Sequence, residues 1–135
     1  MNAPTVAPGC IFHWEGYQFE DGEKADKFLV IVGAKTGCNY LAVIATSQRK
    51  KRDFKPGCNA EHGYYHIPGG GKDGFPKDTW LLIAEPKEIT PAEFAKFGMA
   101  KKIKLKVQLR EQVTNEIKNC MRKCPDVSPA HLALL

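Results

Sequence analysis

Long hydrophobic segments are absent from this sequence. Its apolar runs, for example at 28–32 and 40–45, are much shorter than the roughly 20 residues that span a bilayer. The first nine residues contain neither a basic region nor a long apolar stretch, so we expect no secretory signal. The sequence therefore predicts a protein without a membrane partner.

Cysteine is scarce and odd in number. Five cysteines are scattered at positions 10, 38, 58, 120 and 124, whereas a secreted disulfide framework has a denser, even-numbered set. We therefore expect the protein to be cytoplasmic, in a reducing environment. Cys120 and Cys124 fall on one face of a predicted helix, which favours packing in the core.

A large excess of one charge sign is also missing. The 135 residues include 20 Lys and Arg against 15 Asp and Glu, a formal net charge of +5, and 43% are hydrophobic. This composition is typical of one globular domain and excludes an intrinsically disordered chain. The small positive surplus permits a nucleic-acid partner without requiring one.

Short apolar runs between turn residues predict a mainly-β fold. We expect strands at 9–19, 28–32, 40–45, 64–67, 79–84 and 102–107, the one at 64–67 as a short edge strand. A capping box at Thr90 begins a short helix that ends at Gly98. Helical spacing from 109 to 124 predicts one amphipathic helix.

These elements suit one compact β-barrel of about five to seven strands with a C-terminal helix. We divide the chain into a flexible N-terminal arm at 1–8, the barrel domain with its helix at 9–124, and a short tail at 125–135. The arm contains prolines, and chain ends are where order is usually lowest.

Six short segments follow one another in an order that is known from one protein family. They are 8–13 (PGCIFH), 21–22 (DG), 26–32 (DKFLVIV), 45–48 (ATSQ), 75–80 (FPKDTW) and 85–89 (EPKEI). Over residues 8–124 the chain resembles the PemK/MazF-like (Kid/MazF) family of toxins from toxin–antitoxin systems. The resemblance implies an SH3-like barrel, usually a homodimer, that is a metal-independent endoribonuclease of single-stranded RNA and is silenced by a cognate antitoxin.

Two places depart from the family pattern. Lys27 stands where the family has an arginine that stabilises the developing charge on the phosphate. Lysine keeps the charge and loses the fork that grips two phosphate oxygens. Leu82 and Ala84 stand where Kid-type members have an arginine and an aspartate. The resemblance therefore leaves open an activity that is weakened, rebuilt with other residues, or lost.

Cleavage of RNA through its 2′-hydroxyl needs a base, an acid and groups that hold the phosphorane oxygens. Lys27 is the candidate for the charge, and Thr46 and Ser47 for hydrogen bonds to the phosphate. His66 or His13 is the candidate proton carrier. Since Lys27 and Thr46 start and end neighbouring strands, we expect them at one rim. The alternatives are a solvated lysine, a polar strand end and packed histidines.

A basic run follows the Thr-Ser pair. The candidate nucleic-acid contacts are Gln48, Arg49, Lys50, Lys51 and Arg52, with Tyr64 and Tyr65 as stacking residues. The alternatives are a solvated loop for the basic run and edge-strand packing for the tyrosines. The lysines at 102, 104 and 106 favour protection of an edge strand.

Neither a metal nor a cofactor is predicted. Cys58, His62 and His66 have a spacing that zinc accepts, but a fourth ligand is missing. The glycine-rich segment at 68–72 lacks the G-K-[ST] ending of a phosphate-binding loop. A small zinc-stabilised domain is the weakest alternative.

Together these observations favour a PemK/MazF-like toxin that cleaves single-stranded RNA without a metal. The alternative is a module on the same SH3-like barrel that binds nucleic acid or protein without cutting it. The expected partners are single-stranded RNA, a cognate antitoxin and a second copy of the chain.

Overall fold

The computed structural model describes residues 6–18, 22–48, 52, 55–71 and 75–135. The strands are β1 (Cys10–Gln18), β2 (Lys24–Gly33), β3 (Tyr40–Thr46), β4 (Gly57–Asn59), β5 (Tyr64–Ile67), β6 (Thr79–Leu81), β7 (Lys87–Ile89) and β8 (Ile103–Gln108). The helices are α1 (Pro91–Met99), α2 (Glu111–Lys123) and α3 (Pro129–Leu132), and a 3₁₀ turn spans Ala60–His62. Within the described ranges, no helix is long and apolar enough to cross a membrane.

The strands form one antiparallel sheet. Its order is β4-β5-β6-β3-β2-β1-β8, and β7 pairs separately with β3. The structure thus confirms a mainly-β fold with a C-terminal helix. Among the strands described, the pairing runs from β4 to β8 without closing into a barrel, so the SH3-like barrel stays a prediction.

The central strands β2 and β3 are buried on both faces along most of their apolar runs, which explains why those runs are uninterrupted. In β2 and β3, alternate residues belong to two separate cores. The α2-side core contains Val30 and Val43 and is covered by Ile117 of α2. The α1-side core contains Leu29 and Ile44 and is covered by Phe94 of α1.

Two short strands had no sequence signal, and one predicted strand is shorter than expected. β4 and β7 have three residues each and too few apolar positions to show a period of two. The strand predicted at 79–84 ends at Leu81, because Ile83 N turns back to donate to the Leu81 carbonyl at 2.9 Å. Ile83 is still fully buried, so its apolarity reflects packing of a turn.

A disulfide joins Cys58 of β4 to Cys120 of α2, across a sequence separation of 62. Cys120 lies in the α2-side core as expected, but the sequence analysis did not pair it. Cys10, Cys38 and Cys124 are not part of a disulfide. Disulfides persist in oxidising compartments and are rare in the cytosol, so in the predicted reducing cytoplasm this bridge would open.

Both predicted terminal segments make contacts with the sheet. Of the arm at 1–8, residues 1–5 lie outside the described residues, and Val6 and Ala7 pack against the α1-side core. In the tail, Val127 is buried in the α2-side core. Gly33 of β2 lies so close to the Leu134 carbonyl that a Cβ there would be 2.2 Å from its oxygen. The tail therefore packs as part of the domain.

Candidate functional site

Lys27 and Thr46 come together at one edge of the two central strands. β2 and β3 pair through Phe28 and Ala45, and each candidate residue is one step beyond that pair. Both line a cleft of about 310 Å³, with Ser47 and Gln48 on the same wall. We call this the first cleft. The β2–β3 hairpin therefore brings Lys27, at its start, to the same cleft as Thr46, Ser47 and Gln48, at its end.

The first cleft has an apolar wall as well as a polar one. Phe28, Phe75 and Pro76 line it, with Lys77 beside them. Asp26 also lines it, and its carboxylate accepts a hydrogen bond from Gly16 N at 2.9 Å. A cleft of this volume is at the lower end of the range for small-molecule sites.

A second cleft of about 150 Å³ adjoins the first and shares Lys27, Thr46 and Gln48 with it. It adds the side chains of Arg52, Glu85 and Lys87. Across the two clefts the cations are Lys27, Lys77, Arg52 and Lys87, and the carboxylates are Asp26 and Glu85. Cationic groups therefore outnumber acidic ones along this surface, which favours an anionic ligand.

A third cleft of about 170 Å³ continues from the second, since it shares Arg52, Leu82 and Glu85 with it. His62 and Tyr64 line this third cleft. We refer to the three clefts together as the groove. Its continuity suits an extended chain better than a single small molecule.

The turn after β3 is held by two local hydrogen bonds. The Thr46 hydroxyl accepts from Gln48 N at 3.2 Å, which still leaves its proton to donate to a ligand. Arg52 Nη1 donates to the Gln48 carbonyl at 2.8 Å. These bonds fix the polar wall of the first two clefts. The predicted contacts Arg49, Lys50 and Lys51 lie outside the described residues.

His66 is placed behind the groove. It is 2% exposed, and its ring stacks on Trp80 at 5.0 Å between centroids. Trp80 pairs with Thr46 on its other side, so one strand separates His66 from the cleft wall. His66 Nε2 is 3.4 Å from Asp78 Oδ1, which also accepts from Gly69 N at 2.9 Å. His66 thus belongs to the support of residues 75–78.

His13 also stands away from the cleft lining. It is half-buried on β1, where it pairs with Phe28, and the two rings are 5.0 Å apart at 53°. The residue of β1 that pairs with Lys27 is Trp14, the next one along the strand. His13 is not among the residues that line the three clefts, so the geometry does not bring it to the site of Lys27.

The two predicted stacking tyrosines have different surroundings. Tyr64 is 5% exposed and lines the third cleft. Tyr65 is 4% exposed in the α2-side core, and its hydroxyl donates to Glu116 Oε2 at 2.7 Å. A ring that is packed in the core cannot stack on a base, so Tyr65 is a structural residue.

Sequence reasoning missed several residues of the groove. Phe28 was missed because it belongs to the apolar run at 28–32, a pattern that predicts a buried strand. Glu85 and Lys87 follow the buried turn at 82–84 and carry no motif of their own. Leu82, at a position where the resemblance expects a charged residue, lines the second and third clefts, and Glu85 lies beside it. Glu85 could have been found from the sequence, because it is the first charged residue after Leu82 and Ala84, the two positions where the resemblance expects charges.

The described residues contain no cluster of three or more His, Cys, Asp or Glu side chains that could hold a metal ion. The spacing of Cys58, His62 and His66 does not give such a cluster, since Cys58 is bonded to Cys120. His66 Nδ1 is instead 3.3 Å from the Lys55 carbonyl. The zinc-stabilised alternative therefore has no ligand set here.

Comparison with known proteins leaves the groove as the main guide to function. No protein-family model matches the chain, and no curated protein matches it significantly.

Proposed function

We propose that this protein is a PemK/MazF-like endoribonuclease that binds single-stranded RNA in the groove and cleaves it without a metal. The observation that carries the proposal is the meeting of Lys27, Thr46 and Ser47 in the first cleft. Cations and hydroxyl donors around one cleft suit a phosphate whose charge increases in the transition state. The net charge of +5 agrees with an RNA partner.

Glu85 is the proton acceptor in this proposal. It lines the second cleft with Lys27 and Thr46, whereas neither His13 nor His66 lines the groove. Of the two carboxylates, Asp26 is held by its bond to Gly16 N. Glu85 takes the 2′-hydroxyl proton, the 2′-oxygen attacks phosphorus, and the bond to the 5′-oxygen breaks. The 5′-oxygen takes a proton from solvent, leaving a 2′,3′-cyclic phosphate and a 5′-hydroxyl.

Lys27 and Thr46 stabilise the phosphorane in this step. Lys27 supplies a full charge, and Thr46 donates a hydrogen bond from a hydroxyl whose position is fixed by Gln48 N. Lysine grips fewer oxygens than arginine does, so we expect slow turnover. The proposal extends to closure of the sheet as an SH3-like barrel, a homodimer and control by a cognate antitoxin, all from the family resemblance. It also includes a cytoplasmic location, which rests on the few, scattered cysteines.

The test is incubation of the purified protein with a long single-stranded RNA in EDTA. We expect wild-type cleavage that gives cyclic-phosphate ends and that Thr46→Ala reduces by roughly 100- to 1000-fold, the range for loss of one transition-state donor. Thr36→Ala is the matched control, because Thr36 is exposed in the turn between β2 and β3. Equal cleavage by Thr46→Ala and wild type would place the chemistry elsewhere.

A non-catalytic RNA-binding module is the second candidate. The observation that favours it is that neither predicted proton carrier, His13 or His66, lines the groove. His62 lines the third cleft, which includes neither Lys27 nor Thr46. Salt-sensitive RNA retention without cleavage would support this candidate over the nuclease. Lys27→Ala should then weaken retention, and Lys123→Ala, at the exposed end of α2, should not.

A further inference from the structure

Phe28 is an aromatic side chain in an unexpected place. It lies within a central strand, immediately before the fully buried run at 29–33, yet 39% of its surface is exposed. Large apolar side chains at the centre of a sheet are usually covered. Phe28 instead lines the first cleft, so its exposed surface faces a concave site.

Two further apolar residues, Phe75 and Pro76, line the same cleft. The segment after them is held in place, since Asp78 accepts from Gly69 N at 2.9 Å and the Thr79 hydroxyl donates to the Lys77 carbonyl at 3.0 Å. Phe28, Phe75 and Pro76 therefore give the cleft an apolar lining, here called the slot, which comes from β2 and from an anchored loop.

Cations stand next to this slot. Lys27 lines both the first cleft and the adjoining second one, where Arg52 and Lys87 join it. An apolar slot directly beside a cationic surface matches the two parts of a nucleotide, a base with a π-face and a phosphate. A simple anion would use the cations and leave the exposed face of Phe28 uncovered.

We propose that the first cleft is a base subsite, in which one unpaired base of the bound RNA stacks on Phe28 while the adjacent phosphate contacts Lys27 and Thr46. This inference rests on the proposed function and deepens it. It makes the groove specific for unpaired strands, because a base within a duplex has no exposed face to stack. It also explains why an aromatic side chain of a central strand is left exposed.

His13 acts in this proposal as a positioning residue for Phe28. The two side chains are a directly paired couple on β1 and β2, with ring centroids 5.0 Å apart. A Phe28 ring that His13 already holds on one side loses less conformational entropy when a base stacks on its other side. His13 thus supports the subsite without touching the RNA.

The test compares two uncleavable ligands of equal length. One is a 2′-O-methyl oligonucleotide, which lacks the attacking hydroxyl, and the other is the same backbone without bases. We expect Phe28→Ala to weaken binding of the base-containing strand by roughly 5- to 100-fold, the range for loss of one stacked base. Binding of the abasic strand should be unchanged. Leu105→Ala is the matched control, since Leu105 is 51% exposed on β8.

Phe28→Tyr and Phe28→Leu make the result independent of folding. Both keep apolar volume, but only tyrosine keeps an aromatic face, so Tyr should bind like wild type and Leu like Ala. His13→Ala should give a smaller loss that is also confined to the base-containing strand. Equal losses on both strands, or none for Phe28→Ala and Phe28→Leu, would overturn the base subsite.

Failure of the subsite and failure of the proposed function give different results. Lys27→Ala should weaken both strands, because it removes a phosphate contact. If Lys27→Ala weakens both strands and Phe28→Ala weakens neither, RNA binding stands and the subsite is wrong. If wild type binds neither strand, the proposed function and the subsite are both wrong.

Discussion

At the scale of single residues, the proposed nuclease depends on charged groups next to the two positions that the family resemblance indicates. The sequence has Leu82 and Ala84 where the resemblance expects an arginine and an aspartate. The structure brings Glu85, Arg52 and Lys87 to the same cleft as Lys27. In the proposed nuclease, these three groups act in place of that pair.

Glu85→Gln tests this replacement. The amide keeps the shape of the side chain but is a very poor base, so the cleavage rate should fall by roughly 100- to 10,000-fold, the usual contribution of general base catalysis. RNA affinity should stay the same or rise, because a negative charge next to the phosphate is removed. Both are measured with a fluorogenic RNA, by initial rates and by anisotropy.

Glu111→Gln is the control, because Glu111 is exposed in the first turn of α2. A Glu85→Gln variant with wild-type turnover would exclude Glu85 as the proton acceptor. A variant that loses RNA affinity and turnover in parallel would instead indicate damage to the groove.

At the scale of elements, a small anchored loop forms one wall of the first cleft. Gly69 N donates to Asp78, and Gly70 N donates to the Phe75 carbonyl at 3.0 Å. His66 Nε2 approaches the same Asp78 carboxylate. The glycine-rich segment that the sequence excluded as a phosphate-binding loop thus has a structural use, which is to hold residues 75–78 in place.

Gly69→Ala should disturb that wall. A Cβ at Gly69 would lie 2.3 Å from the Lys77 carbonyl carbon, which backbone atoms do not tolerate without movement. We expect a lower melting temperature and weaker RNA binding, through displacement of Phe75 and Lys77. Thermal denaturation and RNA titration measure the two effects.

Gly71→Ala is the matched control two residues away. A Cβ there would be 3.7 Å from the Pro68 carbonyl oxygen, an ordinary contact, so this variant should behave like wild type. Identical behaviour of the two alanine variants would show that the close approach at Gly69 does not hold the wall.

The elements also show what the sequence can and cannot predict. β5 was predicted with its observed bounds, and α2 within two residues at its start, because local periodicity determines such elements. The closeness of Lys27 and Thr46 could be predicted from the sequence, because the two residues start and end adjacent strands of a hairpin. Phe28 and Glu85 were missed since their exposure depends on the wall at 75–78 and the turn at 82–85, and local sequence does not encode those distant contacts.

At the scale of the whole molecule, the two ends of the sheet are protected differently. β8, at one end, carries exposed lysines at 104 and 106, which discourage pairing with another strand. β4, at the other end, is tied to α2 by the bridge from Cys58 to Cys120. That bridge also fixes the neighbourhood of Lys55, whose carbonyl contacts both Asn59 and His66.

Cys58→Ser should lower the free energy of unfolding by about 2–4 kcal/mol, the usual effect of removing a bridge that closes a long loop. Urea denaturation without and with a dithiol reductant measures it, and reduced wild type should resemble the variant. Cys38→Ser, at a half-buried free thiol, is the control and should unfold like wild type under both conditions. A wild-type midpoint that reductant does not move would mean that the bridge adds no stability.

The position of Trp80, which stacks on His66 and pairs with Thr46, makes this residue useful as a fluorescent reporter. The chain has two tryptophans, and they lie in separate surroundings. Trp80 is next to Thr46 in the sheet, while Trp14 contacts Tyr17, Phe94 and Phe97 beneath α1. Replacing Trp14 by phenylalanine would leave Trp80 as the single tryptophan of the chain, next to the groove. We expect its emission to follow ligand occupancy in real time without any attached dye.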